Sequence, residues 1–133
     1  MTDRIGLDTN VALRWLFRPP GDGRQSDRAT AAADDAEEIH LNLVVLAELI
    51  WLSDRAMKRG REDQATLIAG LLDSPRVHLA ERDCVIQALE NFRQGGPGFT
   101  DHLIAALNRA AGCKTTLTFD KTAARADGFT LLA

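Results

Sequence analysis

The sequence predicts an α/β protein: a three-layer α/β/α sandwich around a central, mainly parallel sheet of four to five strands, built as a single domain over residues 1–133. Three observations carry that expectation. Five short apolar segments recur along the chain, helical patterns fill the intervals between them, and glycine or proline marks most of the junctions. Strands that alternate with helices imply right-handed crossovers and a parallel sheet covered on both faces.

The first strand is "RIGL", directly before Asp8. Residues 9–17 follow as a helix with Val11, Trp15 and Leu16 on one stripe, and "RPPGDG" stops it with two prolines and two glycines. Residues 24–37, rich in alanine and charge, predict a surface helix, and "IHL" at 39–41 a second strand. Asn42 is placed to cap a helix over 43–59 that Gly60 ends, and 62–73 supplies another before Pro75. "VHLA" at 77–80 is the third strand, and residues 82–94 form a helix halted by "GGPG". In "FTDHLIAALNRAAG", Thr100 is the expected cap, Leu103, Ile104, Leu107, Ala110 and Ala111 the buried stripe, and Gly112 the stop. "TTLTF" at 115–119 and "FTLL" at 129–132 complete the strands, and no internal repeat is visible.

Composition narrows the class. A chain of 133 residues hides roughly two-thirds of its unfolded surface on folding. With 45% apolar and 26% charged residues and no low-complexity tract, it reads as a soluble globular protein. Cys84 and Cys113 are far apart and without a CxxC or Cys/His pattern, which fits reduced, cytoplasmic thiols better than a disulfide scaffold or a zinc site. The beginning, "MTDRIGLDTN", has no run of signal-peptide length, and the longest apolar stretch, "LNLVVLAELIWL", is broken by Asn42 and Glu48, so no membrane partner is expected. Sixteen Lys and Arg against nineteen Asp and Glu give a net charge of −3, which argues against a protein that simply coats nucleic acid. Basic residues are scattered, at Arg14, Arg18, Arg55, Lys58, Arg59, Arg61, Lys114, Lys121 and Arg125, and the absence of Tyr leaves little for base stacking.

The acids are more informative. Ligands of open parallel sheets gather at the carboxyl ends of strands, and Asp8 and Asp120 each follow a strand directly, in "IGLD" and "LTFD". Each is also a good helix cap by itself; if their strands are neighbours, both carboxylates share one sheet edge. Glu48 is the one charged position between 41 and 53, with Val44, Val45, Trp51 and Leu52 as its helical neighbours. It is either drawn close to the core, where something must compensate its charge, or set on a thin polar seam. Asp101 stands in a first helical turn, where an acid suits the macrodipole, behind a "GGPG" that offers a flexible approach. Two carboxylates about 5 Å apart repel by roughly 3 kcal/mol at an effective dielectric near 20, so four in company would take up protons or hold a cation. Oxygen donors without a His or Cys cluster point to Mg²⁺ or Mn²⁺, and phosphodiester hydrolysis is the chemistry that commonly uses such a cage. Thr9, Asn10 and Thr118 lie near the same edge, able to orient ligands or simply to bond turns and caps.

The segments "LDTNVALRWL", "NLVVLAEL", "FTDHLIAALNRAAGC" and "TLTFDKTAAR", in order and across nearly the whole chain, resemble the PIN domain, and more narrowly the VapC-like toxins of toxin–antitoxin pairs. The resemblance implies a PIN-like α/β fold and a Mg²⁺- or Mn²⁺-dependent ribonuclease whose acidic quartet is Asp8, Glu48, Asp101 and Asp120, with Asn10 and Thr118 as auxiliary polar residues. It further implies a homodimer and a small VapB-type antitoxin lying across an apolar groove, for which Trp15, Leu16, Leu49, Ile50 and Trp51 are the candidates. Two departures stand out: Phe119, where many relatives carry Asn or an acid, and His102, where a small residue is common. Successive helical residues diverge by about 100°, so His102 is expected to be solvent-facing or structural rather than to share the direction of Asp101. His40 and His78 fall in strands and receive no chemistry.

Two other classes compete. A haloacid-dehalogenase-type phosphohydrolase needs a second aspartate two residues after the first, where this chain has Asn10. A non-catalytic regulator is the other: a receiver-like domain lacks a convincing acceptor aspartate in "VHLAERD", while a non-cleaving PIN-like binding protein is separated from a nuclease by the absence of metal-dependent RNA cleavage.

Overall fold

Each of the five apolar segments forms a strand in the computed structural model of the chain, which describes residues 3–132. Strands β1 (Arg4–Gly6), β2 (Glu38–Leu41) and β3 (Val77–Leu79) pair in parallel, in sequence order, with Arg4 opposite Glu38, Gly6 opposite His40 and His40 opposite His78. Strands β4 (Thr116–Thr118) and β5 (Phe129–Leu131) form a second parallel pair. The α/β class and the parallel pairing are thus as read, but the five strands divide into ladders of three and two. The strands that lead into Asp8 and Asp120 pair with β2 and β5 respectively, not with each other.

The helices between them are α1 (Thr9–Phe17), α2 (Gly23–Asp35), α3 (Leu43–Arg55), α4 (Arg61–Asp73), α5 (Arg82–Arg93), α6 (Phe99–Ala110) and α7 (Lys121–Ala124). By contact the chain resolves into two compact units, Met1–Arg59 with Gly70–Ala80, and Gly60–Ala69 with Glu81–Ala133. Residues 1, 2 and 133 of the expected 1–133 domain lie outside the described residues.

In the first unit the core is built from Ala12 of α1, Ala33 of α2, Ile39 and Leu41 of β2, and Leu46 and Leu49 of α3, all fully buried. Alternation along β2 and β3 sends Ile39, Leu41, Val77 and Leu79 inward and leaves Glu38, His40 and His78 on the other face, half-buried or exposed. A sheet covered on both faces was expected; β2 and β3 bury their apolar face fully, while the other carries half-buried and exposed polar residues. The reason is visible in "EIHL" and "VHL", where polar residues alternate with apolar ones as in a half-solvated sheet. Asn42 caps α3 as anticipated, its side chain accepting from the Val45 amide at 2.9 Å. The helix ends at Arg55 instead of residue 59, because Lys58 turns into the left-handed region (φ 52°) and the Arg59 amide donates back to the Ser53 carbonyl.

In the second unit, Val85, Phe92, Phe99 and Leu103 are buried, and the Phe92 and Phe99 rings meet edge to face at 5.9 Å. Here the sequence reading of α6 is off by a rotation. Phe99 is the first helical residue and is buried, so the cap falls on Gly98 instead of Thr100 and the inward face is Phe99, His102, Leu103, Ala105 and Ala106. Ile104, Ala110 and Ala111, expected inside, are exposed, and Leu107 is half-buried. The short α7 follows the Asp120 cap that the sequence offered, although its bounds were not read. Among the described residues, no helix is long and apolar enough to cross a membrane.

Candidate functional site

In the first unit, Asp8 leaves β1 in extended conformation and caps α1, its Oδ1 accepting from the Val11 amide at 2.9 Å. The next residue, Thr9, donates its hydroxyl to Glu48 Oε1 at 2.9 Å, so the start of α1 is tied to the middle of α3. Glu48 is exposed, not drawn inward: the polar-seam reading holds, although Val44 and Trp51 beside it are also exposed, at 68% and 57%. Asn10 follows on the exposed side of α1, and its carbonyl accepts from Arg14 Nη1 at 3.2 Å. Of the apolar set Trp15, Leu16, Leu49, Ile50 and Trp51, Leu49 and Ile50 are core residues and line no groove, because they sit on the inward face of α3.

Beside Asp8 opens a cavity of about 550 Å³, lined by Asn10, Arg14, Gln25 and Arg28 among others. Arg14 is steadied there by an ion pair with Asp22 at 2.9 Å. Gln25 and Arg28 were missed by reading α2 as a plain surface helix. Their signal was present: Gln25, Arg28, Ala29 and Ala32 recur at three, four and seven residues, one face of one helix.

In the second unit, Asp120 ends β4 and caps α7, its Oδ1 accepting from the amides of Thr122 at 2.8 Å and Ala123 at 3.3 Å. The Thr118 hydroxyl accepts from the Asp120 amide at 3.0 Å, which fixes the turn out of the strand. Asp101, in the first turn of α6, is half-buried, and its carboxyl is pushed above its usual value of 3.8 by that burial and by the nearby charge of Asp120, with His102 pulling the other way. The unit therefore brings Asp101 and Asp120 into electrostatic company. Phe119, next to Asp120 in sequence, is 78% exposed and supplies no donor.

His102 is structural, not solvent-facing: it is 2% exposed, its Nε2 donates to the Gly95 carbonyl at 2.9 Å, and its ring packs on Phe92. The "GGPG" approach to α6 is not loose either. Gly95 and Gly96 take left-handed turns (φ 111° and 79°). Around them the Arg61 guanidinium donates to the carbonyls of Phe92, Pro97 and Gly96 at 2.7, 2.9 and 3.2 Å while lying over the Phe92 ring.

Each unit thus contributes two of the four acids. Among the described residues no three His, Cys, Asp or Glu side chains gather into a ready-made metal cage. The donor chemistry nonetheless suits a hard divalent cation: every candidate ligand is a carboxylate or hydroxyl oxygen. The caps engage Oδ1 of Asp8 and of Asp120, so the second oxygen of each carboxylate keeps its lone pairs for another partner. Burial first, and the charge of Asp120 second, raise the Asp101 carboxyl, and a bound cation would favour its ionised form against both.

Compared with known proteins, the chain matches the family model described as PIN domain over residues 5–129, a span that includes all four acids. No curated protein matches it.

Proposed function

Since the chain belongs to the PIN-domain family, whose members are generally metal-dependent nucleases, we propose that its nuclease-type function is that of a Mg²⁺-dependent endoribonuclease, Mn²⁺ serving in its place, that hydrolyses RNA phosphodiester bonds. The observation that carries this reading is the Asp101–Asp120 pair, one acid in the first turn of α6 and the other capping α7, near enough that the charge of Asp120 adds to burial in raising the Asp101 carboxyl. Asp8, Asp101 and Asp120 would hold the ion, and Glu48, steered by Thr9, would hold it or orient the attacking water. Asn10 and Thr118 add hydrogen bonds around them. When bound, the cation would activate water and offset the charge that builds on the scissile phosphate. Arg14 and Arg28, in the cavity beside Asp8, would hold the RNA backbone.

We further infer a toxin role in a VapBC-type pair, with a homodimeric cytoplasmic protein held inactive by a small antitoxin. The exposed Val44 and Trp51 around Glu48 support it, since an apolar partner segment seated there would cover that acid. The test is direct: partner-free protein should cut RNA when Mg²⁺ or Mn²⁺ is supplied, and Asp8→Asn and Asp101→Asn should each abolish cleavage while keeping the fold. Undiminished activity in both variants overturns the site. Failure of the wild type to cut any cellular RNA favours a non-cleaving PIN-like binding protein. For the toxin role, expression should arrest growth, and a small open reading frame directly upstream should relieve it.

A further inference from the structure

His40 on β2 and His78 on β3 are register partners, directly opposite each other on the open face of the three-stranded sheet. Their Nδ1 atoms lie 2.8 Å apart, with ring centroids at 5.0 Å and planes inclined by 30°. One Nδ1–H donates to the lone pair of the other, so as they stand the two rings satisfy each other. The spacing of the two nitrogens also matches a metal chelate, although the rings now point nearly at each other and each must swing to aim its lone pair at an ion beside the line joining them. Metal–imidazole bonds of about 2.0–2.1 Å at a right angle put two nitrogens about 2.8–3.0 Å apart, whereas a tetrahedral angle needs about 3.3–3.4 Å.

We propose that His40 and His78 form a binding site for a late first-row divalent ion of right-angled coordination, Ni²⁺ or Cu²⁺, independent of the acidic residues. Imidazole suits these metals, while Mg²⁺ prefers oxygen. The ladder between β2 and β3 already holds the two backbones in register, so binding needs only rotation of the two rings. In a neutral pair, the ring bearing Nδ1–H passes that proton to its Nε2 through solvent. Both lone pairs then face the ion, with no net proton release. Gly6, the partner of His40 on β1, contributes no side chain, and a Cβ built there would meet nothing within 4 Å. That opening leaves room for the waters that complete the coordination. The bound ion would clip β2 to β3 and stabilise the first unit, because it binds the folded and not the unfolded chain.

Untagged protein titrated with Ni²⁺ in the presence of excess Mg²⁺ should bind one ion per chain with an accompanying rise in Tm. Asp101→Asn should bind it equally well. His40→Ala and His78→Ala should each bind at least about tenfold more weakly and lose the Tm rise. His78 is exposed, so His78→Gln tests the site without burdening the core should His40→Ala fold poorly. Equal Ni²⁺ binding by wild type, His78→Ala and His78→Gln overturns the proposal, as does displacement of Ni²⁺ by Mg²⁺ or loss of binding in Asp101→Asn.

Discussion

Asp8 is both a helix cap and a candidate ligand, and its two oxygens separate the roles: Oδ1 takes the Val11 amide while Oδ2 is left for other work. Asn caps as well as Asp, whereas Ala does not. Asp8→Asn should therefore leave chemical-denaturation stability nearly unchanged and abolish cleavage, while Asp8→Ala should cost about 1 kcal/mol in addition. Asp101 behaves oppositely. Its folded carboxyl is raised above 3.8, so the folded state binds that proton more tightly than the unfolded one. The stability this contributes is fully present below the unfolded value and lost as pH rises through the raised one. At neutral pH Asp101→Asn should thus melt higher than wild type, the gap closing towards acid. Mg²⁺ or Mn²⁺ should raise the Tm of wild type and not of the variant. Melting curves across pH, with and without the ion, check both. The sequence made Asp8 and Asp120 legible as residues worth watching, but a cap and a ligand demand the same residue at the same strand end, so it could not choose. For Glu48, the apolar neighbours in sequence did not tell which face of α3 was covered, and Val44 and Trp51 turned out to stand in solvent beside it.

At the scale of elements, α6 owes its position to what precedes it. Arg61 of α4 gathers three carbonyls from the end of α5 and the turn that follows it, and His102 takes a fourth at Gly95. A lysine cannot reproduce that planar fork. Arg61→Lys should lower stability by about 2 kcal/mol and speed amide exchange at the start of α6, with cleavage falling as Asp101 loses its bearing. Unchanged exchange there would remove Arg61 from the site's support. Most helix ends were legible, because Gly, Pro and Asn punctuate them by mechanisms that act locally. The face of α6 was not: counting from Thr100 placed Ile104 inside, but burial of Phe99 sets the rotation, and which aromatic is buried is decided by partners distant in sequence. Helix α7, at four residues, is too short to show a period and exists through the Asp120 cap.

For the molecule as a whole, a net charge of −3 confines any attraction for RNA to local groups such as Arg14 and Arg28. With about two phosphates neutralised, KM for RNA should rise only on the order of tenfold between 50 and 200 mM salt, against the 10³–10⁵ of proteins that coat nucleic acid. A steeper slope would mean a broader basic surface. The α/β class was legible because strand and helix periods are local patterns. The division of five strands into ladders of three and two was not, since strand pairing joins segments far apart in the chain. The two units also interleave: residues 60–69 belong with 81–133, and 70–80 with 1–59. Neither can therefore be expressed as an uninterrupted fragment, and no single cut yields one of them whole. A truncation at residue 80 strands a piece of the second unit on the first, and one at residue 59 strips β3 from its sheet. Loss of function on truncation would therefore not map activity to the deleted half, and exchange of a unit between relatives would require two grafted segments.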